Sequence, residues 1–222
     1  PTRVPIAVHW GFWNAWAKEM FADSQMQCRD PFLREHERNL RMLIFHDSIG
    51  DDQVLEPWIT LRAAMIIPAG GPWGMQAGHI DTGEKGGAFI YDPPLKDWRS
   101  IGQLAVPRHQ IDEAETARRL ETLLEAAGGC LSVHVDRSPV YKHWNGDISY
   151  NLAELRGLSQ LLLDLAESPR EVHRLAARLR DGTLKAQAEA EAAGDWSTAE
   201  SCNQATPYCE ELPPPLPNSH GH

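Results

Sequence analysis

A capped helix that runs straight into a strand constrains this chain more than any other feature. Asp30-Pro31 opens the helix, because the carboxylate can accept orphan amide protons and proline suits the first helical turn. Phe32, Leu33, His36, Leu40, Leu43 and Ile44 then recur at helical spacing, and Asp47-Ser-Ile-Gly50 stops the run. Gln53 to Leu61 comes next as a strand that carries Glu56 and Trp58. Ahead of the helix, Val4-Pro-Ile-Ala-Val-His-Trp10 reads as a short buried strand closed by Gly11.

Further along, the periods alternate in the same sense. Asp112-Glu-Ala-Glu115 is a capping-box pattern, and Ile111, Ala114, Ala117, Leu120, Leu124 and Ala127 form one helical face ahead of Gly128-Gly129. Cys130 to Asp136 reads as the third strand. Leu152, Leu155, Leu158, Leu161, Leu162 and Leu165 mark the next helix. Ser168-Pro-Arg-Glu171 starts a long one, with Val172, Leu175, Leu179 and Leu184 inward and an end near Ala193. Strand, helix, strand, long loop, helix, strand and helix pair is the order of a parallel α/β sheet with its helices outside.

Two stretches depart from this order. Residues 66–110 are rich in glycine and proline, and a loop of that length inside a domain points to function. A hairpin is expected within it, with Ala88-Phe-Ile-Tyr91 as one arm. Beyond Leu212, the prolines of residues 213–222 exclude helix and central strand, so this is a tail or a crossing loop. The expected organisation is a single α/β domain over residues 1–212, with that tail after it.

Composition narrows the function classes. The net charge of -10 argues against a general nucleic-acid binder, which needs a basic footprint. No apolar run is long enough to span a membrane as a helix. The four cysteines, Cys28, Cys130, Cys202 and Cys209, form no C-x-x-C pair, which suits a reduced, cytoplasmic setting better than a disulfide framework.

In a parallel barrel the working residues sit at the carboxyl ends of the strands. That rule selects His9 and Trp10 after the first strand, Glu56 and Trp58 on the second, and His134, Asp136 and Arg137 on and after the third. Glu56, His134 and Asp136 are the candidates for proton transfer. His9, Trp10, Trp58 and Arg137 are the candidates for holding substrate, Arg137 through an anionic group. Each has a plainer alternative: a satisfied core histidine for His9, a structural ion pair for Glu56, Asp136 and Arg137. His79-Ile-Asp81-Thr-Gly-Glu84 lies in the long loop, but its spacing matches no metal signature. Cys202 and Cys209 with His220 and His222 are soft or borderline ligands, again without a zinc spacing. No metal ligand is therefore assigned. Eight tryptophans, three of them Trp10, Trp13 and Trp16, offer either core packing or an aromatic wall for a large flat ligand.

Several short pieces, in order, also resemble the uroporphyrinogen decarboxylase-like superfamily. They are His9-Trp-Gly-Phe-Trp, Cys28-Arg-Asp-Pro-Phe-Leu-Arg, Gly50-Asp-Asp-Gln-Val-Leu-Glu-Pro-Trp58, Tyr91-Asp-Pro-Pro-Leu-Lys-Asp97, Ala117-Arg-Arg-Leu120, Leu155-Arg-Gly-Leu158, Ser168-Pro-Arg-Glu and Leu179-Arg-Asp-Gly-Thr-Leu184. The resemblance is to a bacterial branch related to corrinoid-dependent methyltransferases, and it implies a TIM-barrel fold. It implies methyl transfer involving a corrinoid (cobalamin) cofactor, and a corrinoid protein as a partner. Decarboxylation of a porphyrinogen-like or other carboxylate substrate is the second activity it implies. A non-catalytic half-barrel that binds a tetrapyrrole or a partner subunit is the reading outside enzymes. Two departures bear on these. Decarboxylases proper carry Arg-Gln-Ala-Gly-Arg-Tyr after the first strand, where this chain has Gly11-Phe-Trp-Asn-Ala-Trp16. The methyltransferase branch takes zinc on His and Cys residues of the second half of the barrel. A complete barrel needs eight strand–helix units in about 250 residues. Roughly four strands precede the proline tail, so a further half or a second, complementing copy is expected to close the barrel, unless this form is not the active one, and zinc is expected only if a further C-terminal half supplies its ligands.

Overall fold

The computed structural model describes Val4, Ile6, Val8, residues 19–52, Leu55, residues 58–81 and residues 89–195. Helix α1 is Pro31–Asp47, α2 is Glu113–Ala127, α3 is His143–Gly146, α4 is Ile148–Arg156, α5 is Leu158–Glu167 and α6 is Pro169–Ala193. Strands β1 (Trp58–Arg62) and β4 (Ser132–Asp136) form one two-stranded sheet, and β2 (Gly78–Asp81) and β3 (Phe89–Asp92) form another. The molecule is therefore mixed α/β, with helix predominating. Among the described residues no barrel closes, and the expected first strand is described only at Val4, Ile6 and Val8. The chain divides into two compact units of interleaved segments. The first takes the described residues up to Leu61 together with Ala117–Val135; the second takes Arg62–Thr116 and the described residues from Asp136 onward.

In the first unit, Asp30 caps α1 by accepting the Leu33 amide at 3.0 Å. The chain entering that helix is held from within it. Glu37 accepts the amides of Gln27 and Cys28, both at 2.8 Å, while Arg34 Nε donates to the Cys28 carbonyl at 3.1 Å. Those amides hold the Glu37 carboxyl at about 2. Asp51 and Asp52 play a similar part after the helix, accepting the amides of Val8 and Ile6. The core of this unit is Ile59, Leu61 and Leu123, with Phe32, Leu33, Leu40, Leu120, Val133 and Val135 packed on it. Leu43 and Ile44, expected inward, are exposed, and Leu123 takes the inner place expected for Leu124. On α2 the 3.6-residue period puts Leu120, Leu123 and Ala127 on one stripe, which passes between the positions a simpler spacing selects.

The second unit absorbs the long irregular stretch. The expected hairpin is present, antiparallel, with His79 opposite Tyr91 and Ile80 opposite Ile90. On either side of the hairpin the stretch is core rather than an open loop. Trp73, Leu95, Ile101 and Leu104 are buried with Tyr141, Leu155, Leu175, Leu179 and Ala186. Their polar edges are satisfied, with Trp73 Nε1 donating to Asn151 Oδ1 at 2.7 Å and the Tyr141 hydroxyl donating to the Pro72 carbonyl at 2.5 Å. Burial pushes the Tyr141 phenol up to about 12. The leucine run expected as one helix is two, α4 and α5, because Gly157 between them sits at φ 85°. Leu155 and Leu161 are buried, whereas Leu158, Leu162 and Leu165 are exposed. Ser168 does not cap α6 through its side chain, and Leu184 is exposed, with Thr183, Ala186 and Ala190 buried instead. Gly194, left-handed at φ 76°, ends α6 after Ala193 as expected.

Candidate functional site

Of the seven residues selected from the sequence, His9, Trp10 and Glu56 lie outside the described residues. The other four fall on or beside β1 and β4. In the first unit, strand alternation turns Ile59 and Leu61 into the core and leaves Trp58 on the opposite face. There the Trp58 ring stacks on His134, with centroids 4.9 Å apart and planes 15° from parallel. The indole Nε1 is buried and has no hydrogen-bond partner among the described residues. A buried donor without an acceptor costs about 1–3 kcal/mol, so it marks a place where the fold tolerates a cost.

In the second unit, Asp136 is fully buried at the end of β4. Oδ1 accepts the Ser138 amide at 3.0 Å and also the Ser138 hydroxyl. Oδ2 accepts Arg62 Nη1 at 2.7 Å and Lys142 Nζ at 3.0 Å. A carboxylate out of water is tolerable only when paired and hydrogen-bonded, and this one has two cations and a turn amide. Its four acceptor positions are taken. The geometry therefore favours an orienting role for Asp136, holding Arg62 and Lys142 in place, over the proton transfer expected of it.

Arg137 is equally engaged. Its Nη atoms grip Glu113 Oε2 and Oε1 at 2.9 and 2.6 Å, and Nε donates to Asp195 Oδ1 at 2.5 Å. Hydrogen bonding to Glu113 and Asp195 keeps its guanidinium charged well beyond the usual range, and in return holds the Glu113 carboxyl low. The expected anion-binding arginine thus faces two carboxylates of its own chain.

The chain of contacts continues to a residue that sequence reasoning missed. Asp195 Oδ2 meets His109 Nε2 at 2.8 Å. An ionised carboxylate only accepts, so Nε2 carries a proton, and in the neutral form of an imidazole so bonded Nδ1 is an acceptor. The His109 side chain is 3% exposed, and its Nδ1 is buried without a partner among the described residues. The His109 amide donates to Glu189 at 2.9 Å. Burial opposes ionisation of Glu189, but that amide and Arg108 outweigh it and hold the carboxyl below its ordinary range. An imidazole oriented by a carboxylate, itself held by an arginine, is the arrangement that makes a histidine a proton acceptor on its free edge. The available signal was its place in Pro107-Arg-His109-Gln, inside the stretch marked as functional. Nothing local pointed to Asp195, which is 86 positions away.

Among the described residues no three His, Cys, Asp or Glu side chains converge on a metal position, and Cys28 and Cys130 are free thiols. A corrinoid needs a broad apolar or aromatic face. Trp10, Trp13 and Trp16, which the sequence offers for one, lie outside the described residues, and the face of Trp58 is covered by His134. No described helix is long and apolar enough to cross a membrane. No family model, curated protein or solved structure matches the chain.

Proposed function

We propose that this chain is part of a barrel-type enzyme of the uroporphyrinogen decarboxylase-like kind, acting at strand ends on an anionic substrate. Methyl transfer involving a corrinoid is the reaction we assign to the intact protein. The cofactor would supply the methyl-carrying centre, and the residues of this chain would bind and orient the substrate. Support comes from the ordered run of similar sequence pieces, and above all from the charged network beyond the end of β4. Asp136 fixes Arg62 and Lys142 there, and Arg137 fixes Asp195 and His109.

That network also favours decarboxylation as a second reading. When CO2 leaves, its electron pair stays on carbon, and a proton must be delivered there. An imidazole aligned by Asp195 can hold and release that proton at Nδ1, the nitrogen that has no partner among the described residues.

Two assays separate the readings. Adding hydroxocobalamin to the native protein should shift its visible spectrum, and a methyl donor should then be turned over. Release of CO2 from a carboxylate substrate, without any spectral shift, would move the assignment to the decarboxylase. Neither signal would leave the enzyme reading without support. Under either reading His109→Gln should lower turnover by about 10²–10⁴-fold, the usual share of a positioned acid or base. Unchanged turnover would return His109 to a structural role.

A further inference from the structure

Arg178 differs from its neighbours along α6. Arg174 pairs with Glu171 at 2.8 Å, Arg180 pairs with Asp181 at 2.7 Å, and Lys185 lies 3.7 Å from Glu189. Arg178 donates Nη2 to the Leu104 carbonyl at 2.7 Å, and among the described residues its buried Nε has no partner and no carboxylate pairs with it. A guanidinium does not shed its proton, so half-buried and without a directly paired carboxylate among the described residues it leaves positive potential at its surface.

A groove of about 770 Å³ in the second unit opens beside it, within the size range of small-molecule sites. Arg99, Arg174, Arg178 and Lys185 line the groove, against the carboxylate of Asp181 alone among the described residues. Three of those cations have carboxylates of their own outside the lining, Arg99 with Asp97, Arg174 with Glu171 and Lys185 near Glu189, so the charge left over is that of Arg178. Between the charges the wall is apolar, made by Ala105, Val106, Pro107 and Ala177. The wall is also tightly built. At Gly182 a methyl group would stand 2.7 Å from Pro107 Cγ and 2.9 Å from Trp73, so α6 and the 105–107 segment meet with no slack.

We propose that this groove binds a small anionic molecule. Its phosphate or carboxylate group seats against the Arg178 guanidinium, and its apolar part lies over Val106 and Pro107. A planar fork of donors matches either oxyanion, and Arg174 and Lys185 add attraction from the rim. The site is separate from the strand-end network, since none of Asp136, Arg137, His109 and Asp195 lines it. A nucleic acid would need a basic surface wider than one groove, which a chain of net charge -10 argues against.

Titration calorimetry on the full chain tests this, with inorganic pyrophosphate and citrate as separate probes at low salt. At least one should bind with a Kd below about 1 mM. Pyrophosphate alone assigns a phosphate ligand, citrate alone a carboxylate. Arg178→Gln should weaken binding by about tenfold or more, the loss of one charge-assisted pair. Arg170→Gln, exposed at the start of the same helix and not in the groove, should leave it within about twofold. Arg178→Lys should fall between, and should keep binding measurable if the glutamine variant does not fold. No binding of either probe at about 10 mM would overturn the proposal. So would equal losses in the Arg178 and Arg170 variants, which would mean general charge attraction rather than a site.

Discussion

Asp136 shows how a residue can be legible in a sequence while its role is not. Its place at the end of a strand marks it, but the partners that decide what it does come from elsewhere. Arg62 ends another strand, and Ser138 and Lys142 lie in the turn after β4. Replacing the carboxylate by its neutral isostere tests the orienting role. Asp136→Asn would leave Arg62 and Lys142 without their shared counter-charge, and breaking a buried pair from one side costs about 3–5 kcal/mol. Urea unfolding should show that loss; a change under about 1 kcal/mol would mean that water already screens the two cations. His109 and Asp195 were hidden for a related reason. A histidine in a glycine-rich stretch and an aspartate past a helix end become a pair only once the fold closes the interval between them. Arg178 reads as one more charge on a long helix, and its lack of a carboxylate is visible only in three dimensions.

Helix starts and stops were more legible, because their chemistry is local. Asp30 and Asp112 accept the amides three residues on, and Gly128 and Gly194 take left-handed φ at the expected ends. Which face turns inward was less so. Leu43, Ile44, Leu158, Leu162, Leu165 and Leu184 satisfy a helical period yet remain exposed, since a period says that a stripe exists and not how wide the covering element is. Gly182 sharpens the same point on α6. Mid-helix glycine costs about 1 kcal/mol relative to alanine, so propensity alone predicts that Gly182→Ala stabilises. Packing predicts the reverse, because the new methyl would press on Pro107 and on the buried Trp73 ring. Overpacking a tight contact costs about 1–3 kcal/mol, so the variant should melt lower. A higher melting temperature would show that the 105–107 segment can give way.

For the whole molecule, alternating strand and helix signals made an α/β fold readable. They did not reveal the division into two units, because strand pairing such as β1 with β4 joins residues far apart in sequence. Pairing of that kind leaves no local period. One property nevertheless sums over every element: how stability responds to pH. Glu37 and Asp97 titrate at about 2, held down by backbone amides and by Arg99 respectively. Glu113, Asp147 and Asp164 are also lowered, by Arg137, Ser149 and Arg156. In the unfolded chain such groups return to about 4. Between the two values the unfolded state binds more protons, so their stabilisation is complete above about pH 5 and is lost as pH falls towards 2. Burial lowers His36 in the same sense, which adds a shallower loss as pH drops below its unfolded value near 6.5. At the alkaline end the sign reverses. Burial holds Tyr141 at about 12, and a hydrogen bond with Tyr91 does the same for Tyr150. The unfolded phenols ionise from about pH 10, so stability falls as pH rises from there towards 12. The urea midpoint should therefore be level between about pH 7 and 9 and decline on both sides, more steeply in acid. A midpoint that stays level down to pH 3 would mean these carboxylates are no better held in the fold than in the open chain. His36→Gln should flatten the shallow limb near pH 6 and leave the steep one in place; if both limbs persist unchanged, burial of that imidazole contributes nothing to the acid response.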